Sequence, residues 1–98
     1  MSLLDLASIS QSLPQAWKST VLGRVGSSNI KVLRMDEMSS AQEVHDYTEG
    51  LLVISGQLML SVGGEAISVG EGQIYLAEAG VPHAVLSGSH GVLVIFDT

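Results

Sequence analysis

The sequence of 98 residues contains no cysteine, two prolines and only four basic residues. The absence of cysteine excludes disulfides and thiolate metal sites, so histidine and the acidic residues remain as the strong metal ligands. Four Lys and Arg residues against ten Asp and Glu residues give a net charge of −6, and the basic residues are not clustered. Because a phosphate backbone is bound by a basic face, the sequence predicts no nucleic-acid partner.

The sequence also has no apolar run of the roughly 18 residues that a membrane span needs. Its first residues lack the basic and continuously apolar regions of a signal peptide. We therefore expect no membrane partner and a cytoplasmic location. With 46% hydrophobic and 14% charged residues the composition is that of a folded chain. A chain of this length builds one core, so we expect one domain over residues 1–98.

The first residues predict a short helix. Leu3, Leu6 and Ile9 follow one another at helical spacing, and Pro14 stops the pattern. The segment that begins at Ser2 resembles a capping box, which marks a helix start. The prediction is a helix over about residues 3–12.

From about residue 17 the apolar pattern has a period of two, which is typical of strands. Turn residues separate the runs, among them Ser55-Gly56 and Gly63-Gly64. Short strands with frequent turns predict an all-β domain, either a sandwich or a closed barrel over about residues 17–98. The predicted strands cover residues 19–25, 30–35, 51–55, 58–62, 66–69, 74–77, 84–86 and 92–96.

Two of these runs, 51–54 and 92–96, are apolar at every position rather than at every second one. Both faces of these strands must then be covered. The N-terminal helix or a second subunit can supply the cover of the outer face. We expect a homodimer on this ground.

Acidic residues and histidines recur at short spacing in two segments. Glu43 and His45 are two residues apart, so on a strand they point to the same face and can share a ligand. The first segment reads Glu43-x-His45-x3-Glu49-x6-Gly56, and the second reads Gly72-x5-Glu78-x-Gly80-x2-His83-x3-Ser87.

This layout resembles the two motifs of the cupin superfamily, in particular its small single-domain, RmlC-like members. The resemblance implies a small jelly-roll β-barrel behind the N-terminal helix. It also implies one divalent metal held by His45, Glu49 and His83, with Glu43 in the position of the first histidine of the motif. A set of two histidines and two glutamates suits Zn, Fe, Mn or Ni.

Two alternatives stay open for Glu43 and for the protein. Glu43 is either a fourth metal ligand or a free carboxylate that acts as a base, and no other catalytic residue is assigned. The resemblance implies a metal-dependent enzyme for a small polar substrate, of the dioxygenase, decarboxylase or isomerase type. The alternative is a non-catalytic module that binds or senses a small molecule or a metal in the barrel, with or without a resident ion.

The remaining polar and aromatic candidates are expected outside the chemistry. His90 stands in a glycine- and serine-rich turn and is expected at the surface. Asp46 points away from His45 on a strand and is expected in solvent. Tyr47, Tyr75 and Trp17 are expected to pack.

Overall fold

The computed structural model of the chain describes residues 2–98, and its N-terminal helix, α1, spans Leu6–Ser12. The carboxylate of Asp5 accepts a hydrogen bond of 3.1 Å from the backbone N–H of Ser8 and caps the first turn. The predicted start near residue 3, with Ser2 in the capping position, is wrong. The helix begins directly after Asp5 because that side chain satisfies a free N–H group of the first turn. No helix in residues 2–98 has the length and apolar character needed to cross a membrane.

Seven strands follow the helix and form one antiparallel sheet, which is consistent with the predicted small all-β jelly roll. Its order is β1-β2-β7-β3-β4, and β5 and β6 also pair with β3. Within residues 2–98 this path ends on β1 and β4, so the barrel is not strictly closed. The strands are β1 (Thr20–Val25), β2 (Ser28–Met35), β3 (Glu49–Val62), β4 (Glu65–Gly70), β5 (Ile74–Ala77), β6 (His83–Val85) and β7 (His90–Asp97).

Strand β3 joins two of the predicted strands into one element, so the turn predicted at Ser55-Gly56 is wrong. The strand passes through a bulge near Ser55, and Gly56, at φ +78°, lies opposite Gly91, at φ +101°. The two glycines let the strands bend at close approach without breaking the pairing. As a result, the first half of β3 pairs with β5 and the second half with β4 and β6.

The core fills the inner face of this bent sheet. Trp17, which precedes β1, packs against it, as expected. The indole Nε1–H of Trp17 donates a hydrogen bond of 2.7 Å to the carbonyl of Asp36, and its backbone N–H donates one of 2.8 Å to the carbonyl of Arg34. These bonds fix the connection from α1 to the barrel. The buried core residues are Leu33, Met35, Leu51, Val53, Leu58, Leu60, Val69, Ala77 and Leu93.

The outer face of the sheet is apolar too, as the two continuous apolar runs predicted. Its register places Val32 beside Val94, Val94 beside Leu52, and Leu52 beside Ile74. Val32 and Val94 are buried, and α1 packs on β2. Ile74 and Leu76 on β5 remain 51% and 55% exposed. The helix therefore covers one part of this face and leaves the β5 part open.

Candidate functional site

The two motif segments meet at a single antiparallel bridge between Glu43 and His83. The backbone N–H of Glu43 donates a hydrogen bond of 2.7 Å to the carbonyl of His83, and the N–H of His83 donates one of 2.9 Å in return. The N–H of Gly80 donates one of 2.8 Å to the carbonyl of His45. Glu43 and His45 lie between β2 and β3, and Glu43 takes part only in this isolated bridge. The backbone bonds nevertheless hold both motifs together.

Three of the four predicted ligands form a compact group. The Oε2 atom of Glu43 lies 3.7 Å from Nε2 of His45 and 4.0 Å from Nε2 of His83. Each residue offers one ligand atom, and these atoms all lie within 4.8 Å of one another. Ligands on opposite sides of a metal, at about 2.1 Å each, are separated by about 4.2 Å. The Glu43, His45 and His83 side chains are therefore close enough to bind one metal ion after a small adjustment.

Glu49 lies beside this group at the start of β3. Its Oε1 atom is 3.7 Å from Nε2 of His83, and its side chain is only 13% exposed. Burial raises the pKa of Glu49, and the nearby His45 and His83 oppose that rise. Glu49 is not part of the group defined by the 4.8 Å limit. The structure thus brings the Glu49 carboxylate to the same imidazole and places it at the edge of the group.

Two buried nitrogens in the site have no hydrogen-bond partner within residues 2–98. They are Nε2 of His45 and Nδ1 of His83. A buried polar atom without a partner costs free energy, and such atoms in native proteins often mark a missing ion or water. Imidazole nitrogens beside carboxylate oxygens are a donor set that binds Zn, Fe, Mn and Ni. The residues present therefore fit a divalent metal, which would satisfy the Nε2 atom of His45.

All four predicted ligands line one cavity of about 400 Å³ inside the barrel. The ring of Tyr47 stacks on that of His45, with centroids 5.0 Å apart. The lower part of the cavity is formed by core residues, including Leu58, Leu60 and Leu93. The cavity therefore combines a polar group on one side with an apolar floor, which is the usual character of small-molecule sites.

Sequence reasoning missed two charged residues of this cavity, Lys31 on β2 and Asp97 on β7. Their charged atoms, Nζ and Oδ2, are 2.7 Å apart. The missed signal was the period of two: Lys31 shares a strand face with Leu33, and Asp97 shares one with Leu93. A charged residue in register with core residues points into the barrel.

The remaining candidates lie only in part where the sequence placed them. His90 and Asp46 are exposed and do not line the cavity, as expected, but His90 begins β7 instead of standing in a turn. Tyr75 packs against the core. Trp17 packs against the core as expected, but Trp17 and Tyr47 also line the cavity, so both do more than the packing that was expected.

Solved structures with the same fold cover 80% to 98% of the chain. A cupin-2 domain protein from Shewanella frigidimarina superposes with a TM-score of 0.89 at 18% identity, over 98% of this chain and 94% of that one. An RmlC-like cupin from the same organism gives a TM-score of 0.68 at 16% identity, over 80% and 71%. At these identities the likeness establishes the fold.

A larger enzyme contains the same fold as one part. The hydroquinone 1,2-dioxygenase PnpCD, solved in complex with Fe³⁺, superposes with a TM-score of 0.79 at 16% identity. The match covers 91% of this chain and 30% of the dioxygenase chain. No curated protein sequence matches the chain.

The sequence profile of the Cupin domain family matches residues 31–98, which contain both motifs and strands β3 to β7 complete. The match therefore covers more than half of the chain and includes all four candidate ligands. The fold, the motif spacing and this match agree, and the chain belongs to the cupin superfamily.

Proposed function

We propose that this protein is a metal-dependent enzyme that binds a divalent ion through Glu43, His45, Glu49 and His83. The observation that carries the proposal is the close group of Glu43, His45 and His83, in which a buried imidazole nitrogen has no hydrogen-bond partner. The carboxylate of Glu49, beside His83, supplies the fourth donor. Zn, Fe, Mn and Ni all suit this donor set. The Fe³⁺ complex of the dioxygenase with the same fold makes iron the first ion to test.

The cavity supplies the remaining requirements of a catalytic site. A bound divalent ion would polarise an oxygen of the substrate as a Lewis acid. The apolar floor formed by Leu58, Leu60 and Leu93 excludes water from the buried part of the substrate. Glu43, whose side chain is 59% exposed, can exchange a proton with solvent at its carboxylate oxygens when it does not bind the ion. This supports reactions of small polar compounds of the dioxygenase, decarboxylase or isomerase type.

Metal binding is tested by calorimetric titration with Fe²⁺ under anaerobic conditions and with Mn²⁺, Ni²⁺ and Zn²⁺. The three histidines of the chain supply a matched set of variants. We expect His45→Gln and His83→Gln each to weaken binding at least tenfold, because each removes one ligand. His90→Gln is the control, since His90 is exposed and lies outside the cavity. Equal affinities for all three variants and the wild type would contradict the proposal.

Catalysis is tested separately on the metal-loaded protein. Small carbonyl and phenolic compounds are screened for oxygen uptake, release of carbon dioxide and isomerisation, with His45→Gln as the inactive reference. Turnover that requires the metal supports an enzyme. Tight binding of a ligand without turnover of any compound would favour the second candidate, a binding or sensing module.

We also propose that the protein forms a homodimer through the open part of the outer sheet face. Ile74 and Leu76 continue the apolar rows of this face on β5, and both are about half exposed. Exposed apolar side chains in register with a buried apolar face are typical of a subunit contact. A second copy would complete the cover that α1 provides only in part.

A further inference from the structure

The imidazole of His45 has less support from the fold than that of His83. His45 lies between β2 and β3, outside both strands, and its side chain is 27% exposed. His83 begins β6, where it pairs with Val62, and its side chain is 7% exposed. Strand pairing and burial thus hold the His83 imidazole, and His45 has neither.

The His45 imidazole also lacks a hydrogen bond that would orient it. Nε2 is buried without a partner, and the Oε2 atom of Glu43 lies 3.7 Å from it, beyond hydrogen-bond distance. A histidine that binds a metal usually donates its second ring N–H to a carboxylate, a carbonyl or a water, and this bond fixes the ring. No group in residues 2–98 supplies that bond to His45. The protein must therefore orient this ring by another contact.

The ring of Tyr47 supplies such a contact. Its centroid lies 5.0 Å from that of the His45 ring, and the two planes differ by 19°, so the rings are stacked. The His83 ring is 5.7 Å from the His45 ring and is tilted by 51°. Stacked rings at this separation attract one another. The face of Tyr47 also limits rotation of the imidazole, because a rotated ring would meet it edge-on.

The backbone on both sides of Tyr47 is fixed. The carbonyl of His45 accepts a hydrogen bond of 2.8 Å from the N–H of Gly80, and the Thr48 hydroxyl accepts one of 3.2 Å from the N–H of Ala79. The chain on either side of Tyr47 is therefore held to the turn after β5. The Tyr47 hydroxyl makes no hydrogen bond within residues 2–98, so the ring itself provides the contact with His45.

Metal binding would strengthen this stack. A divalent ion draws electron density from the imidazole that binds it, and a positively charged ring is attracted to the negative face of a tyrosine. The contact is then stronger with the ion than without it, so it contributes to the affinity for the ion. A ring that is already directed also loses less conformational entropy when it binds.

We propose that Tyr47 is a positioning residue of the metal site. Its ring face holds the His45 imidazole in the direction in which Nε2 faces the carboxylate of Glu43. This inference rests on the proposed function and adds a residue that does not itself bind the ion. The ring acts without its hydroxyl, so Tyr47→Phe should preserve the role.

The test is a calorimetric titration of the wild type, Tyr47→Leu and Tyr47→Phe with Mn²⁺. We expect Tyr47→Leu to bind the ion about fivefold more weakly, a loss of the size of one aromatic contact, and Tyr47→Phe to stay within about twofold of the wild type. Tyr75→Leu is the control, since Tyr75 is the second tyrosine of the chain and does not line the cavity. Equal affinities for the wild type and Tyr47→Leu, or an equal loss in both Tyr47 variants, would overturn the inference.

A double-mutant cycle measures whether Tyr47 acts through His45. In the His45→Gln background, Tyr47→Leu should change the remaining Mn²⁺ affinity by less than about twofold, because no imidazole is left to orient. A second loss of about fivefold in that background would also overturn the inference.

Loss of the Tyr47 ring can impair folding, so a further variant keeps the ring. Pentafluorophenylalanine in place of Tyr47 has a ring of similar size whose face is positive, and we expect it to bind Mn²⁺ about fivefold more weakly than Tyr47→Phe. Equal affinities for these two variants would contradict the role of the stack. A wild type that binds no metal refutes the proposed function and this inference with it. Unchanged binding in the Tyr47 variants refutes only the role of Tyr47.

Discussion

The bend of β3 at Gly56 gives a prediction whose size follows from the structure. A Cβ atom on Gly56 would lie 2.0 Å from the carbonyl oxygen of His90, which is far inside van der Waals contact. Gly72 has the same φ of +78°, but a Cβ atom there meets nothing within 4 Å. Replacing either glycine by alanine therefore places a Cβ atom at the same positive φ, and the clash is the main difference between the two variants.

The strain of the left-handed conformation costs about 1–2 kcal/mol for a non-glycine residue. We expect Gly72→Ala to lose about this amount of unfolding free energy. Gly56→Ala must in addition separate β3 from β7 by more than about 1 Å, which weakens ladder hydrogen bonds worth about 1 kcal/mol each and the packing beside them. Its total loss is expected to reach about 4 kcal/mol or more, a large part of the 5–15 kcal/mol typical of a domain.

Urea unfolding of metal-free protein measures both losses through the fluorescence of Trp17, the single tryptophan of the chain. If Gly56→Ala does not fold while Gly72→Ala does, the result also agrees with this reasoning. Equal losses for the two variants would refute it. The bend would then not depend on the close approach of the two strands.

Three further predictions concern the site and the subunit contact. Burial raises the pKa of Glu49 above its ordinary value of 4.5, so the free energy of unfolding falls as the pH rises through the folded-state pKa. Glu49→Gln should therefore stabilise the metal-free protein against urea at pH 7 but not below pH 4.5. If the variant gains no stability at pH 7, the result contradicts the burial of a charged Glu49. If Glu43 is a ligand, Glu43→Gln weakens metal binding in a calorimetric titration while Glu43→His preserves it, and equal affinities remove Glu43 from the ligand set. Light scattering should give twice the chain mass of 10.3 kDa for the wild type and the single chain mass for Ile74→Lys. The control is Val25→Lys on exposed β1, which should keep the dimer mass. A monomeric wild type contradicts the dimer.

The sequence predicted those parts of the fold that depend on local pattern. The period of two located the strands, and the spacing of the motifs named four residues that the structure brings to one cavity. The turn at Ser55-Gly56 was wrong because a glycine at positive φ permits a bend inside a paired strand as readily as a turn. Local sequence does not show that Gly91 lies opposite Gly56, and this pairing decides between a bend and a turn.

The ion pair between Lys31 and Asp97 could not be predicted from motif spacing. Lys31 and Asp97 lie far apart in the sequence and meet only because β2 pairs with β7. Their inward direction was readable from the alternation with Leu33 and Leu93, but their contact depends on the strand order. Glu43 was the weakest member of the motif, and the structure instead places its carboxylate between both histidines.

The central claim is that Glu43, His45 and His83 share one metal ion inside the barrel. The most direct test is a crystal of the protein soaked with Mn²⁺ and measured for anomalous scattering. We predict one strong anomalous peak in the cavity, at about 2.0–2.4 Å from Nε2 of His45, from a ring nitrogen of His83 and from a carboxylate oxygen of Glu43. A fully soaked crystal without a peak in the cavity, or with its strongest peak elsewhere, would contradict the claim.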